Sequence, residues 1–475
     1  MKATRRQRWA LGLAGALLLT AAAGPARAQS PDPTALSGLT LTEVLAAAER
    51  LVPTLEAARQ DLAAAQGLEL EGEGAFDPTW RSRASWVPLG YYKTGRLETV
   101  LQQPTDLYGL SAFAGWRLGA GSFAVYDGKA ATADFGELRA GLALPLLRDR
   151  SIDKRRADRA VAQLEPAVAQ AGLAQARLEL RRAAAVRYWG WVEAGQQQLV
   201  AQELLQKALA RDAGLAERVR RGDLAETERL DHRRAVLARQ GQVVAAQQRS
   251  RSAALELSLY LRDAAGQPAV PGQERMPAAV PPLPEIVPEL SVHQQTALQR
   301  RPELQRMAVW HDQQQAQAQQ AVNARLPALD VQAAVSRDLG QGPASLGPVE
   351  LEVAVMLDVP LLGRVPDAKI QQARAKLAKL QAQQQWARER VAVEVGQVHA
   401  ELQAARERAG LAEQELAQAR KLAEAERISF AGGASTVLVL NLREQAEGEA
   451  ELREVTARID WHRAWASWLA VTAAP

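Results

Sequence analysis

Val349-Glu350-Leu351-Glu352-Val353-Ala354-Val355-Met356-Leu357-Asp358-Val359-Pro360 places an aliphatic residue at every odd position, and from Asp367 an Ala, Gln, Leu, Arg and Glu tract runs without proline to Ile428. A period of two gives an extended strand one apolar face. A helix of roughly 65 residues at ~1.5 Å per residue is about 100 Å long, more than a compact domain needs. Such length implies coiled-coil packing. A one-faced strand feeding such a helix is the unit from which the rest of the chain is read, and a fibrous spacer would need no strand.

The unit occurs twice. Trp80, Ser82, Ala84 and Trp86 alternate with Arg81, Arg83 and Ser85, and Leu138, Ala140, Leu142 and Leu144 with Glu137, Arg139, Gly141 and Ala143. A second long tract follows from Asp153 to Arg220, interrupted only by Pro166. Leu51-Val52-Pro53-Thr54-Leu55 matches Arg300-Arg301-Pro302-Glu303-Leu304, Leu144-Pro145-Leu146-Leu147 matches Val359-Pro360-Leu361-Leu362, and Gly222 with Leu230 matches Gly432 with Leu440. Order and spacing survive, so the chain is a duplication. The first repeat, 29–266, reads as a helix from Thr42 to Gly72, strands at about 77–146 and long helices at about 153–262, broken at Gly222-Asp223. The second, 290–475, reads as a helix from Ser291 to Arg325, strands at about 327–360 and long helices at about 367–471, broken at Gly432-Gly433. Asp153 and Asp367 are the expected N-caps. Between the repeats, 267–289 is rich in proline, which excludes helix and favours an extended strap.

Composition removes several chemistries. The chain has 475 residues and no cysteine, so disulfides, thiolate zinc sites, cysteine nucleophiles and a lipidated cysteine are excluded. Its net charge of +4 comes from the start: Lys2, Arg5, Arg6, Arg8 and Arg27 precede any acid, and without them 53 basic face 54 acidic residues. That balance offers nothing to nucleic acid. The same segment, with an apolar run from Trp9 to Ala23 and the site Ala26-Arg27-Ala28, reads as a secretory signal over 1–28. No later stretch is a spanning helix.

An exported chain with one-faced strands of about ten residues matches the length of tilted membrane strands, ~9–11 residues. Half of the 22 aromatics fall between Phe76 and Phe135, Trp80, Trp86, Tyr108, Trp116 and Tyr126 among them, as in the interfacial girdles of a membrane barrel. Pro327 to Pro360 has none. Two strands per repeat give four per chain, or six if an extra hairpin forms near Leu107 to Tyr126; residues 91–135 read more readily as an extracellular loop. Neither number closes a pore, and an open edge in lipid leaves backbone groups unpaired. The barrel is therefore expected to be shared between chains.

The leader, the duplicated helix-strand-strand-helix unit, the helix length and the proline-rich crossover together resemble the TolC family of outer-membrane efflux channels, over essentially the whole mature chain. The family's hairpin turn has an aromatic, Gly three residues on, then an acid and Leu. Here Val219-Arg220-Arg221-Gly222 precedes Glu228-Arg229-Leu230-Asp231, without the aromatic, and Phe430-Ala431-Gly432-Gly433 precedes Leu438-Val439-Leu440-Asn441, without the acid. The resemblance implies a mainly α fold with a β membrane region: a homotrimer with a 12-stranded outer-membrane β-barrel continued by a periplasmic α-helical coiled-coil barrel. It implies that Gly222, Glu228, Leu230, Asp231, Phe430, Gly432, Gly433, Leu438 and Leu440 lie near the periplasmic gate that docks an adaptor (membrane fusion) protein, with an inner-membrane pump of RND, ABC or MFS type behind it. Glu228 or Asp231 would carry any cation selectivity, against the plainer reading that both are solvated surface acids.

The remaining residues point away from chemistry. His232, His293, His311, His399 and His462 lack metal-ligand spacing and read as packing or surface residues. Trp461, Trp465 and Trp468 form a helical core stripe. No nucleotide, hydrolase or metalloprotease motif occurs. The function expected is a passive exit duct for efflux or type I secretion, not an enzyme, with no cofactor or metal. The alternative is a periplasmic coiled-coil adaptor or scaffold without a membrane barrel.

Overall fold

The computed structural model describes residues 38–125, 128–284 and 288–474; the leader read at 1–28 and the aromatic Tyr126 lie outside the described residues. The first half runs α1 (Leu41–Leu51), α2 (Pro53–Gly74), β1 (Thr79–Val87), β2 (Thr94–Pro104), β3 (Ser111–Gly121), β4 (Glu137–Pro145), α3 (Lys154–Arg220) and α4 (Glu226–Ser258). The second runs α5 (Leu290–Arg300), α6 (Pro302–Asn323), β5 (Ala328–Asp338), β6 (Glu350–Asp358), α7 (Arg364–Ala431) and α8 (Val437–Val471). No helix among the described residues is long and apolar enough to cross a membrane.

Local chemistry sets the helix ends. Thr40 and Glu43 form a capping box at α1, each side chain accepting the other's backbone amide. Pro53 and Pro302 hold Val52 and Arg301 extended, so each expected single helix splits in two at its X-Pro step. Asp153 caps α3, accepting the Arg156 amide at 2.8 Å. Asp367 does not cap α7, which starts three residues earlier after Gly363; Asp367 sits in the first turn, 3.1 Å from Arg325. Pro366 is tolerated there because first-turn amides lack helical partners.

The six strands form one antiparallel sheet in chain order. Residues 91–135 are thus not an extracellular loop, because they contain two full sheet members, β2 and β3. Their connecting turn, 105–110, lies against the helices. Gln103 donates to the Phe76 carbonyl just beyond α2 at 2.7 Å, Arg159 of α3 pairs with Asp106 at 2.6 Å, and Arg150 stands over the Tyr108 ring. Gly109, at φ +76°, lies so close that a Cβ would stand 2.6 Å from the Asp149 carbonyl oxygen.

Register keeps the two faces apart. One row links Thr79, Gln102, Phe113, Gly141, Ala334 and Glu352, and residues on alternate rows share a face. The face opposite that row carries Trp80, Trp86, Leu97, Leu101, Trp116, Leu118, Leu138, Leu142, Val331, Val335, Leu351, Val353, Val355 and Leu357, with Arg337 its charged exception. Its own face carries Arg81, Arg83, Arg96, Glu98, Arg117, Glu137, Arg139, Asp330, Asp338, Glu350, Glu352 and Asp358. The apolar face is bare: Trp86 is 78% and Leu351 70% exposed.

Beside the sheet, α2 packs on α3, α3 on α6 and α6 on α7; further along, α3 pairs with α4, α7 with α8, and α3 with α8. The core is two apolar clusters in this helical body, one around Leu39, Tyr188, Trp191, Leu257 and Ile459, the other around Val391, Leu402, Trp461 and Trp468. The strap crosses these helices on its carbonyls, which proline leaves without helical partners. Gln196 donates to Pro277, His462 to Pro281, Arg406 to Pro284 and His399 to Pro288, at 2.8, 3.3, 2.8 and 3.0 Å.

Candidate functional site: the hairpin tips and the clamp behind them

Each long hairpin turns on one left-handed glycine. At the end of α3, Gly222 takes φ +80° and the Asp223 amide reaches back to the Arg218 carbonyl at 2.9 Å. At the end of α7, Gly433 takes φ +77° and the Ala434 amide reaches the Ser429 carbonyl at 2.9 Å. Both are helix closures that need positive φ. Gly222 therefore corresponds to Gly433, while Gly432 is an ordinary right-handed cap residue. The copies match one residue further apart than Gly222 and Gly432 suggest, because α7 has 68 residues and α3 has 67. Leu230 then corresponds to Asn441 rather than Leu440. Leu230 is exposed and Leu440 buried.

The other tip residues are spread around the two turns. Glu228 is partly buried in the first turn of α4, and Asp231 is exposed, 3.7 Å from Arg234. Leu438 is exposed in the first turn of α8. Phe430 lies under the Arg218 guanidinium, 5.4 Å from ring centroid to charge, so the two tips touch. In the sheet, Trp80, Trp86 and Trp116 share the apolar face, and the Trp116 indole donates to the Phe135 carbonyl at 2.8 Å. Tyr108 stands in the β2–β3 turn.

Behind the tips lies a buried polar cluster that the residue pattern did not single out. Glu444 of α8, 1% exposed, is held by Arg211 of α3, with Arg239 of α4 at 3.6 Å and Arg427 of α7 at 3.7 Å. Arg427 also pairs with Glu447, and Arg211 donates to Asn441 at 3.1 Å. His232 completes the cluster: Nε2–H donates to the Ala208 carbonyl at 3.0 Å, and Nδ1 accepts from Asn441 at 3.4 Å. Burial holds the His232 pKa below its ordinary value, so the ring is neutral. Four helices meet here, about 14 Å from the end of α3 at ~1.5 Å per residue. The available signal was Glu444 and Glu447 recurring among the buried positions Leu440 and Gly448 of α8.

A second cluster closes the other end of the charged sheet face. Lys129, from the described residues 128–136 that precede β4, pairs with Glu137 at 3.2 Å, Asp338 at 2.8 Å and Glu350 at 2.9 Å, and Arg117 also pairs with Glu137. The Ala133 amide donates to Asp338 at 2.9 Å, drawing the loop over that face.

The outer membrane efflux protein family matches residues 294–473. No curated protein matches by sequence. In structure the chain is similar to the outer membrane protein VceC of Vibrio cholerae, with 16% identity over 91% of this chain and 95% of that one and a TM-score of 0.66. It is similar to the CmeC outer membrane channel of Campylobacter jejuni, with 13% identity, 91% and 85% covered and a TM-score of 0.64. It is similar to the MtrE outer membrane channel of Neisseria gonorrhoeae in its open state, with 14% identity, 91% and 88% covered and a TM-score of 0.63. The match to the outer membrane efflux protein family thus covers the second repeat, while the fold of the outer-membrane channels runs through both repeats.

Proposed function

We propose that the chain is the outer-membrane exit duct of a tripartite efflux or type I secretion system, passing substrate from an inner-membrane pump and its periplasmic adaptor to the outside. It performs no bond chemistry and needs no cofactor. The observation that carries this reading is the six-stranded sheet, apolar on one face and charged on the other, whose strands run directly into helices up to 68 residues long. The apolar face suits lipid and the charged face suits a water-filled lumen. A periplasmic adaptor without a membrane barrel is not favoured, because it would expose that apolar face to water.

The working unit is a homotrimer, as channels of this family are, and the two repeats, 29–266 and 290–475, lie on either side of the strap. The tips at Gly222 and Gly433 are the periplasmic gate and adaptor-docking end, and Glu228 or Asp231 sets any cation preference. Support for this is that both turns and both acids lie at the helix ends farthest from the sheet, where Phe430 and Arg218 join the hairpins. The pump, whether RND, ABC or MFS in type, chooses the substrate. Purified protein in planar bilayers is expected to conduct, and neutralising Glu228 and Asp231 together to reduce cation preference. Absence of conductance from both the wild type and the neutralised protein would remove the duct.

A further inference from the structure

Resting on the trimeric duct reading, we propose that the membrane wall takes six strands from each copy and closes as an 18-stranded barrel, wider than the 12-stranded one the family resemblance implies. The seam is β1 of one copy pairing antiparallel with β6 of the next.

Three observations carry this. First, β2 and β3 have the same two faces as the other strands: Leu97, Leu101, Trp116 and Leu118 on the apolar side, Arg96, Glu98 and Arg117 on the charged side. Their turn is clasped by α3 through Arg159 and Asp106 and lies at the helical end, so the hairpin spans the wall like its neighbours. Second, arc lengths agree. Four helices per copy adjoin the sheet, and at ~9 Å spacing they occupy an arc of about 36 Å. Six strands ~4.8 Å apart and tilted ~40° occupy about 38 Å, whereas four occupy about 25 Å. Closed three-fold, six strands per copy give a ring about 36 Å across the backbone, and four give about 24 Å.

Third, the edges are complementary. β1 and β6 are the two unpaired edges, and β1 is exposed along its whole length. β1 leaves the helices and β6 returns to them, so neighbouring copies meet antiparallel. The row from Thr79, the first residue of β1, reaches β6 at Glu352, six residues before its last residue, Asp358. Carrying the same climb across the seam sets Glu352 opposite Ser85 and Asp358 opposite Thr79 of the next copy. A climb of six residues per copy corresponds to a strand tilt of about 35°, within the range for barrels. Arg83 then lies diagonal to Glu352 and Arg81 diagonal to Asp358, all four on the charged face, where cross-strand diagonals interact.

The native chain has no cysteine, so engineered pairs report without background. S85C combined with E352C in the full-length protein, treated with a short thiol crosslinker in native membranes, is expected to convert most monomer into covalent dimer and trimer. S85C with L351C, on opposite faces, is expected to give none. Electron microscopy of wild-type particles in nanodiscs is expected to resolve 18 strands and a ring about 36 Å wide. Conducting trimers with 12 strands, or with β2 and β3 outside the wall, would overturn the strand count and leave the duct standing. Particles without a three-fold barrel would overturn both.

Discussion

At the far end of the sheet one cation, Lys129, is held by three acids, Glu137, Asp338 and Glu350, while behind the helix tips one acid, Glu444, is held among three arginines, Arg211, Arg239 and Arg427. The inversion of charge matters less than what each centre is attached to. Lys129 arrives on a loop and keeps 21% of its side chain in solvent; Glu444 sits on a helix with 1%. The loop meets the sheet through Lys129 and the Ala133 amide. The clamp can open only if one hairpin moves against the other, which makes it the better candidate for a switch with two discrete states. The molecule thus has a charge centre that ties a loop to the sheet at one end and a charge centre that ties two hairpins together at the other.

The strongest way to break this contrast is Glu444→Ala. Removing the carboxylate leaves buried guanidinium groups facing one another, and losing one partner of a buried charge cluster costs about 3–5 kcal/mol. The expected result is a lower melting temperature for the helical body together with a severalfold higher conductance in bilayers. Unchanged conductance in a folded variant would show that the clamp is structural and does not gate. Lys129→Ala should be milder. The buried Glu137 keeps Arg117 and the buried Asp338 keeps the Ala133 amide, so the loss is that of charged hydrogen bonds, about 1.5–3 kcal/mol, and protease cleavage within 122–136 should rise while the helical melting temperature stays constant. With one lumenal cation gone, the reversal potential should shift towards cation preference. A fall in melting temperature comparable to that of Glu444→Ala would remove the distinction between the two ends.

The two ends also differ in how readable they were. The strands β1, β4 and β6 stood out because their alternation is clean. β2 and β3 alternate too, but Gly95, Arg96, Glu98, Gly115 and Gly119 break the apolar run, and such residues suit a wall whose inner face is wet. A strand with one solvated face resembles a loop when only hydrophobicity is read. The long helices were legible from length and composition, and the X-Pro steps from Pro53 and Pro302. The tip register was off by one because short motifs were matched by residue type, whereas φ at Gly222 and Gly433 decides the correspondence. The clamp was out of reach for a different reason. Arg211, His232, Arg427 and Glu444 lie on four separate helices, and nothing local in any of them announces the others.

His232 sharpens the contrast by adding pH to one end. Its neutral ring faces Ala208, Asn441, Arg211, Asp212 and Arg239. Because burial places the folded pKa below the unfolded value of about 6.5, its contribution to stability is complete above that value and is lost as pH falls towards the folded pKa. Melting of the helical body should therefore weaken on acidification below about pH 6.5, with crosslinking between loop 122–136 and β5 indifferent to that change. His232→Gln should flatten the dependence; an identical slope in the variant would assign it to another group.

The smallest expected effect belongs to Phe430 and Arg218, where the two tips touch. A cation–π contact at a partly exposed site contributes about 0.5–1 kcal/mol, well below the clamp. Phe430→Leu keeps an apolar side chain but removes the ring face, so the melting temperature should move by no more than a few degrees. Adaptor binding should respond more than stability does, because the contact fixes the relative position of the turns at Gly222 and Gly433 without holding the hairpins together. Titrating an adaptor hairpin against Phe430→Leu and Arg218→Ala separates the two roles. Equal loss of affinity in both, with conductance unchanged, marks the pair as a docking contact; a rise in conductance matching that of Glu444→Ala would extend the clamp all the way to the tip.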